Sequence, residues 1–313
     1  MSGLFEEIHA AIVAGQELAL ATVIGDSGST PRTSGSTMVI YRDGTIAGTI
    51  GGGIIEGDVI QSAGKVLATG MPVISTYDLS QTGRVDDMDL VCGGRMQILI
   101  EHVPADRENL EMFGLISAEI TRARPFLWIG KITENSRQCQ VERAIQTADR
   151  RWRGALPREP ALQEKLAELK TGYAGTALVE VEKKQYVIAA VQPPDTVYIF
   201  GAGHVAKEIA VLTKQVGFRT LVFDDREEFA NKNRFPGADG VFVCEGFSSV
   251  FENFTVTPSS CIVIVTRGHR FDRKVLAQAL HTEAGYIGMI GSRKKRKSVY
   301  EALIKEGFRQ RAL

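Results

Sequence analysis

The sequence predicts an α/β protein, with an N-terminal α/β region followed by a C-terminal Rossmann-like domain built on a doubly wound parallel sheet. Three observations predict it. Residues 197–200, Val-Tyr-Ile-Phe, are a short β-branched and aromatic run of the kind that a strand buried on both faces shows. Gly201-Ala202-Gly203 follows at once, and Val205, Ile209 and Leu212 then recur at helical spacing. Strand-like runs at 197–200, 221–223, 241–243, 261–265 and 286–290 alternate with helical stretches. The stiff Gln192-Pro193-Pro194-Asp195 linker marks the boundary. The chain is therefore read as an N-terminal domain over 1–105, an intervening α/β segment and linker over 106–195, and the Rossmann-like domain over 196–313.

The order strand, glycine turn, helix is what gives a G-x-G-x-x-A match its meaning. Gly201 makes the tight turn, Gly203 lets a phosphate approach the backbone, and Ala206 permits close packing of helix on strand. The helix that opens at His204 offers free N–H groups and a positive dipole end to an anion, so Gly201, Gly203 and His204 are the phosphate candidates. Residues 219–223 read as the next parallel strand and end at Asp224-Asp225, where such a unit places the acid for a ribose hydroxyl. A nucleotide-type site is the reading; the alternative is the same fold with a crevice that binds nothing.

The remaining elements follow in order. Residues 4–13 form an amphipathic helix that stops near Gly15, and 17–24 a strand running into Gly25-Asp-Ser-Gly-Ser-Thr-Pro-Arg32. Residues 37–41 and 45–50 make a hairpin around Asp43-Gly44. Gly51, Gly52 and Gly53 lead into a helix over 54–67, then a strand over 73–77, an acidic loop over 81–90 and a strand over 96–103. A helix lies between 109 and 122, strands over 126–132 and 140–145, a charged surface loop over 149–160, a helix over 161–169, and a hairpin of 177–181 with 185–191.

Composition narrows the function. The 313 residues suffice for two domains, and Lys+Arg and Asp+Glu both number 37, so no net field draws the chain to nucleic acid or to a membrane. No apolar run approaches the roughly 20 residues of a bilayer crossing. The start Met1-Ser-Gly-Leu-Phe-Glu-Glu lacks the features of a signal peptide. Cys92, Cys139, Cys244 and Cys261 stand far apart, with no C-x-x-C pair. That suits reduced cytoplasmic thiols, excludes a Cys-only iron–sulfur centre or zinc ribbon, and predicts no resident metal.

Three further clusters carry chemistry. Gly51, Gly52 and Gly53 stand between a strand and a helix, so their N–H groups can line an anion nest. Arg32, fixed by Pro31, can grip phosphate or carboxylate, and Glu56 can give or take a proton one turn into the helix. Tight packing at a turn is the plain alternative. Cys92 precedes Gly93-Gly94 on a flexible backbone, where a thiolate can reach a ligand or carry sulfur; a buried apolar thiol is the alternative. Thr266-Arg267-Gly268-His269-Arg270-Phe271-Asp272 follows a buried strand at the ligand-binding end of the sheet. His269 there can transfer a proton or contact phosphate, and Asp272 can cap the helix or orient His269, against a surface histidine with no role. In Gly291-Ser292-Arg293-Lys294-Lys295-Arg296-Lys297, Ser292 is a plausible N-cap. Five cations at a helix start oppose the dipole unless an anion or partner carboxylates meet them, so Arg293 is a phosphate or docking candidate; a solvated face is the alternative.

Taken together, these blocks resemble the XdhC/CoxI family of xanthine dehydrogenase accessory proteins. The pieces that match are Gly28-Ser-Thr-Pro-Arg32, Gly48-Thr-Ile-Gly-Gly-Gly53 with Glu56, Cys92-Gly93-Gly94, Phe200-Gly-Ala-Gly-His204, Thr266-Arg-Gly-His-Arg-Phe-Asp272 and Tyr286-Ile-Gly-Met-Ile-Gly-Ser-Arg293, in family order over nearly the whole chain. The resemblance implies an XdhC/CoxI N-terminal domain and a Rossmann-like XdhC C-terminal domain. It implies a protein, commonly dimeric, that binds molybdenum cofactor of the molybdopterin type and protects it while a sulfido ligand is installed. Delivery to a molybdenum hydroxylase apoenzyme follows, with a cysteine desulfurase as the other partner. Members often carry the name xanthine dehydrogenase without being the enzyme, and this chain has neither the cysteines nor the length for that enzyme's iron–sulfur, flavin and molybdopterin domains. It is read as a cofactor-binding maturation factor, with two anion-binding turns facing a shared cleft.

Two departures from the family pattern bear on this. Relatives continue beyond 292–296 with a further strand and helix, so the Rossmann sheet is expected to lack an element or the sequence to be truncated. Ile54-Ile55 stands where many relatives have a cysteine, which leaves Cys92 as the sulfur candidate. The alternative function is an NAD(P)-dependent oxidoreductase with His269 as acid/base, NAD being favoured by the paired acids. A third is a regulatory docking protein that uses residues 293–297.

Overall fold

A computed structural model describes residues 2–79, 93–134, 139–169 and 175–309. The chain divides into two compact units, Met1–Pro193 and Pro194–Leu313. The first opens with α1 (Ser2–Val13), β1 (Leu18–Ser27), β2 (Thr37–Tyr41), β3 (Ile46–Gly48), α2 (Gly53–Thr69), β4 (Val73–Asp78) and β5 (Arg95–Val103). It continues with α3 (Arg107–Thr121), β6 (Phe126–Glu134), β7 (Cys139–Thr147), β8 (Trp152–Arg153), α4 (Pro160–Leu169), β9 (Gly175–Val181) and β10 (Lys184–Val191). Two five-stranded sheets result, ordered β3-β2-β1-β5-β4 and β8-β7-β6-β10-β9, and every pairing in them is antiparallel.

Period-two alternation explains the layering. On one face of β1, Ala19, Ala21 and Val23 pack with Ile55, Val59 and Val66 of α2. On the other, Leu18 and Leu20 join Phe5 and Ile8 of α1, Phe113 and Ile116 of α3, Trp128 of β6 and Ile145 of β7. That second cluster joins the two sheets, so the stretches 1–105 and 106–195 share one core. The far face of the second sheet is closed by α4, through Leu162 and Leu166 against Leu127 and Ile129. One buried ion pair also joins the sheets. Arg143 Nε of β7 donates to Glu101 Oε2 of β5 at 2.5 Å, with the guanidinium 4.8 Å from the Trp128 ring centroid. Burial pushes the Arg143 guanidinium down to about 9, which leaves it charged at neutral pH.

Differences from the sequence reading have local causes. The expected strand 45–50 shortens to β3, because Gly48 turns the chain away and frees Thr49 and Ile50 for the glycine turn. The loop expected at 149–160 contains the short edge strand β8. The acidic loop expected at 81–90 lies outside the described residues.

The second unit comprises β11 (Thr196–Phe200), α5 (His204–Gln215), β12 (Arg219–Asp224), β13 (Gly240–Val243), β14 (Cys261–Ile264), α6 (His269–Ala279), β15 (Tyr286–Met289) and α7 (Arg293–Lys305). Its strands lie in the order β13-β12-β11-β14-β15 and all run parallel. The order reverses between β11 and β14, the topological switch point at which open α/β sheets bind ligands. β11 is buried throughout because both faces are covered. Val197 and Ile199 pack with Ala206 and Ala210 of α5, while Tyr198 and Phe200 pack with Val275 of α6 and Val299 of α7. The alternation of strand and helix is incomplete. Between β12 and β13 the chain runs in turns, since Asn231, Asn233, Pro236 and Gly237 disfavour a helix there.

Candidate functional site

The second unit builds its crevice from two touching turns. At the end of β11, Gly201 turns the chain with φ 107°. A Cβ at this position would lie 2.4 Å from the Val265 carbonyl oxygen and 2.9 Å from Thr266 Cα, so only glycine lets the β11–α5 and β14–α6 turns meet. Gly203 and Gly268 are the N-caps of α5 and α6, and neither helix has a side-chain cap. Apart from the chain neighbours, no atom lies within 4 Å of a Cβ built on either glycine, so both helix starts face open space. By contrast, α7 is capped: Ser292 Oγ accepts from the Lys295 amide at 3.2 Å. His204 and His269 are the first residues of the two uncapped helices, and both are exposed.

The two acids after β12 are already engaged. Asp224 is buried; its Oδ2 accepts from the Ala202 amide at 2.7 Å and from Arg226 Nη2 at 3.2 Å. Its Oδ1 accepts from the Arg226 amide at 3.1 Å and from Arg226 Nε at 2.9 Å. Burial raises the Asp224 carboxyl, but hydrogen bonds from Arg226 and the Ala202 amide outweigh it and hold the group below the usual carboxylate range. Asp224 thus braces the glycine turn. Asp225 Oδ2 accepts from Arg267 Nη2 at 2.7 Å, while its Oδ1 is buried without a hydrogen bond, 3.8 Å from Arg226 Nε.

Asp272 departs from expectation. It does not cap α6, whose N-cap is Gly268, and its carboxylate is engaged by partners other than His269. Fully buried on the inner face of the helix, it accepts from Thr266 Oγ1 at 2.6 Å and pairs with Lys295 Nζ. The basic run is thereby partly answered from within: Lys295 by Asp272, and Lys297 by Glu301 at 3.8 Å, while Arg293 is exposed.

In the first unit three glycine-containing motifs converge. Gly51, Gly52 and Gly53 have φ of 136°, 78° and 62°, and a Cβ on Gly51 would lie 2.8 Å from Pro31 Cβ. A Cβ on Gly94 would lie 2.4 Å from the Ser29 carbonyl oxygen, which sets the Gly93-Gly94 turn against the loop carrying Arg32. Cys92 lies outside the described residues. The nest itself is filled by the protein: Glu56 Oε2 accepts from the Gly52 amide at 3.1 Å, the Ile50 amide at 3.4 Å and Thr49 Oγ1 at 2.8 Å. Glu56 therefore takes two of the amides an anionic ligand would use. Arg32 is exposed, has no hydrogen bond or ion pair among the described residues, and borders a cavity of 710 Å³ with Ser34, Thr37, Thr49, Thr176 and Gln192. The sequence reading assigned no role to Thr49, Arg226, Arg267 or Thr266. The first and the last two lie inside quoted motifs, and Arg226 directly follows the acid pair, but their partners are set by tertiary contacts. Among the described residues no group of three or more His, Cys, Asp or Glu side chains is placed to hold a metal ion, and no helix is long and apolar enough to cross a membrane.

Fold and site together define a two-part α/β protein, whose second part is a Rossmann domain with a glycine turn at its switch point. Residues 197–313 match the XdhC Rossmann domain and residues 11–78 match the XdhC and CoxI family, more than half of the chain between them. The chain belongs to the XdhC and CoxI family. It is 26% identical over 288 residues to a protein of Bacillus subtilis (strain 168) named as a probable xanthine dehydrogenase subunit, covering 90% of this chain and 82% of that protein. It is 22% identical to the uncharacterized protein YqeB of Escherichia coli (strain K12), over 88% of this chain but 34% of that longer protein. A crystal structure of a xanthine dehydrogenase from Bacillus halodurans superposes with a TM-score of 0.73 at 24% identity, covering 95% of this chain and 84% of that one. At that identity the likeness speaks for the fold.

Proposed function

We propose that this protein is an accessory factor for a xanthine dehydrogenase-type molybdenum hydroxylase. It holds molybdenum cofactor by its phosphate while the cofactor is sulfurated and passed on. The observation that carries the reading is the pair of uncapped helix starts, Gly203-His204 and Gly268-His269, at the ends of neighbouring strands on either side of the switch point. Orphan amides and two dipole ends directed at one crevice suit a phosphoryl group. The residues fit that group in the second unit, where open space stands before both N-caps. In the first unit they fit an anion at Arg32 rather than at the nest, because Glu56 already holds the Ile50 and Gly52 amides. Bound there, the cofactor would supply the redox-active metal; the chain's own residues bind and shield it. Family membership and the Bacillus subtilis relative, by its name part of a xanthine dehydrogenase, support the assignment to that system.

The same reading takes a molybdenum hydroxylase apoenzyme and a cysteine desulfurase as partners, a cytoplasmic homodimer as the working state, and Cys92 as the sulfur candidate. Mass analysis of small molecules released from freshly purified protein, expressed in a molybdenum-replete host, tests it. The expected result is a pterin that becomes fluorescent on oxidation. NAD(H) with no pterin would overturn the reading in favour of the oxidoreductase.

A further inference from the structure

The ion pair between Arg267 and Asp225 joins the segments that follow β14 and β12 at the carboxyl edge of the sheet. Arg267 follows β14 and Asp225 follows β12, and β11 runs between those strands, with all the carboxyl ends on one edge of the sheet. Neighbouring strands stand about 4.8 Å apart, so the pair spans about 10 Å over the end of β11, where the glycine turn begins. Arg267 is the mobile half, with its side chain 50% exposed, whereas Asp225 is 13% exposed. Asp225 also has a second cation in reach, since Arg226 Nε lies 3.8 Å from its Oδ1, so it keeps a partner when Arg267 departs. Arg226 itself is tied to Asp224 through its amide and guanidinium. Arg267 is therefore a cation at this edge that can change partners.

We infer that Arg267 is a phosphate-binding residue held in reserve by Asp225, and that the ion pair is a latch which the ligand's phosphoryl group opens by exchange. The inference rests on the proposed use of this crevice and adds to it the side chain that closes over the bound anion. A planar guanidinium at a helix start can grip a phosphoryl group in bidentate fashion, which the backbone amides alone cannot.

The test is a double-mutant cycle on the full chain, with inorganic pyrophosphate as probe and calorimetric titration as readout. Asp225→Asn frees Arg267 and should tighten binding up to about fivefold, the worth of a partly exposed ion pair. Arg267→Gln should weaken binding by about tenfold or more, and Arg267→Lys by less. The double variant Asp225→Asn/Arg267→Gln decides between a latch and a general charge effect. For a latch the gain from Asp225→Asn vanishes once Arg267 is gone; for simple removal of a nearby negative charge it persists. An equal gain in both backgrounds, or none in either with the thermal transition unchanged, overturns the latch and leaves the phosphate crevice standing. Failure of the unsubstituted protein to bind pyrophosphate at millimolar concentration overturns both.

Discussion

Gly203→Asp separates binding from folding at the crevice. Gly203 has φ −76° and ψ −168°, extended backbone open to any residue, and nothing lies within 4 Å of an added Cβ. The substitution is therefore free of steric cost. Asp is also among the best N-cap residues, and α5 has no side-chain cap, so the variant gains a few tenths of a kcal/mol from capping and about 0.3–1 kcal/mol from the dipole. In a domain of this size that raises the melting temperature by roughly 2–6 °C. The same carboxylate takes the amides offered to a phosphate. A like charge about 4 Å from the phosphate costs on the order of 4 kcal/mol at an effective dielectric of 20, which corresponds to two to three orders of magnitude in affinity. The assay pairs thermal unfolding with pterin recovered per mole of purified protein. Pterin retention at the unsubstituted level in a folded Gly203→Asp variant would refute the reasoning, as would a fall in melting temperature.

Three other substitutions test how the site is supported. Gly201→Ala brings a Cβ to 2.4 Å from the Val265 carbonyl oxygen at a φ of 107°, so it should destabilise the second unit by about 2 kcal/mol or more in urea denaturation. Glu101→Gln leaves Arg143 buried without its counter-ion and should cost about 3–5 kcal/mol, with loss of the first unit's transition before the second's. Asp224→Asn concerns pH. Because the folded state holds the Asp224 carboxyl below its ordinary value, its contribution is fully present above the unfolded carboxylate pKa of 3.8 and is lost as pH falls through the lowered folded value. The variant should be less stable at neutral pH, and its difference from the unsubstituted protein should shrink on acidification below about pH 4. A difference independent of pH between 2 and 7 would show that Asp224 braces the turn by shape alone.

What could be read in the sequence follows the range of the forces involved. The Rossmann unit was legible because parallel strands buried on both faces read as unbroken apolar runs, and because Gly201 is required by backbone geometry whatever side chains surround it. The common core of the first unit was not. Alternation in β1 and β6 says that each has two faces, yet nothing local says that Leu20 and Trp128 meet in one cluster. The sites divide in the same way. Gly51 was legible as part of a tight turn, while its neighbour Pro31 was not, and Gly94, read as flexible backbone, packs against Ser29. Asp224, Asp272 and Glu56 were recognised as candidate acids, but a carboxylate's partner comes from tertiary contact. Each has a protein donor that the sequence places 4 to 23 positions away, as with Gly52, Lys295 and Ala202.

Three carboxylates at the candidate sites share one physical trait: each satisfies, from within, a donor that an anionic guest would otherwise satisfy. Glu56 holds the nest amides, Asp224 the Ala202 amide, and Asp225 the Arg267 guanidinium. A charge-assisted hydrogen bond contributes about 1.5–3 kcal/mol, so a site with bare donors would grip phosphate tightly and release it slowly. Where the guest must exchange with a resident carboxylate, only the difference between two similar bonds appears as affinity. Loading and release then lie close in free energy. An enzyme that must retain a permanent cofactor gains nothing from that arrangement, whereas a protein that receives a phosphorylated guest and hands it on depends on it. The exchange at Arg267 is the place to measure the balance, because there the resident carboxylate can be neutralised while Asp224, which braces the glycine turn, is retained.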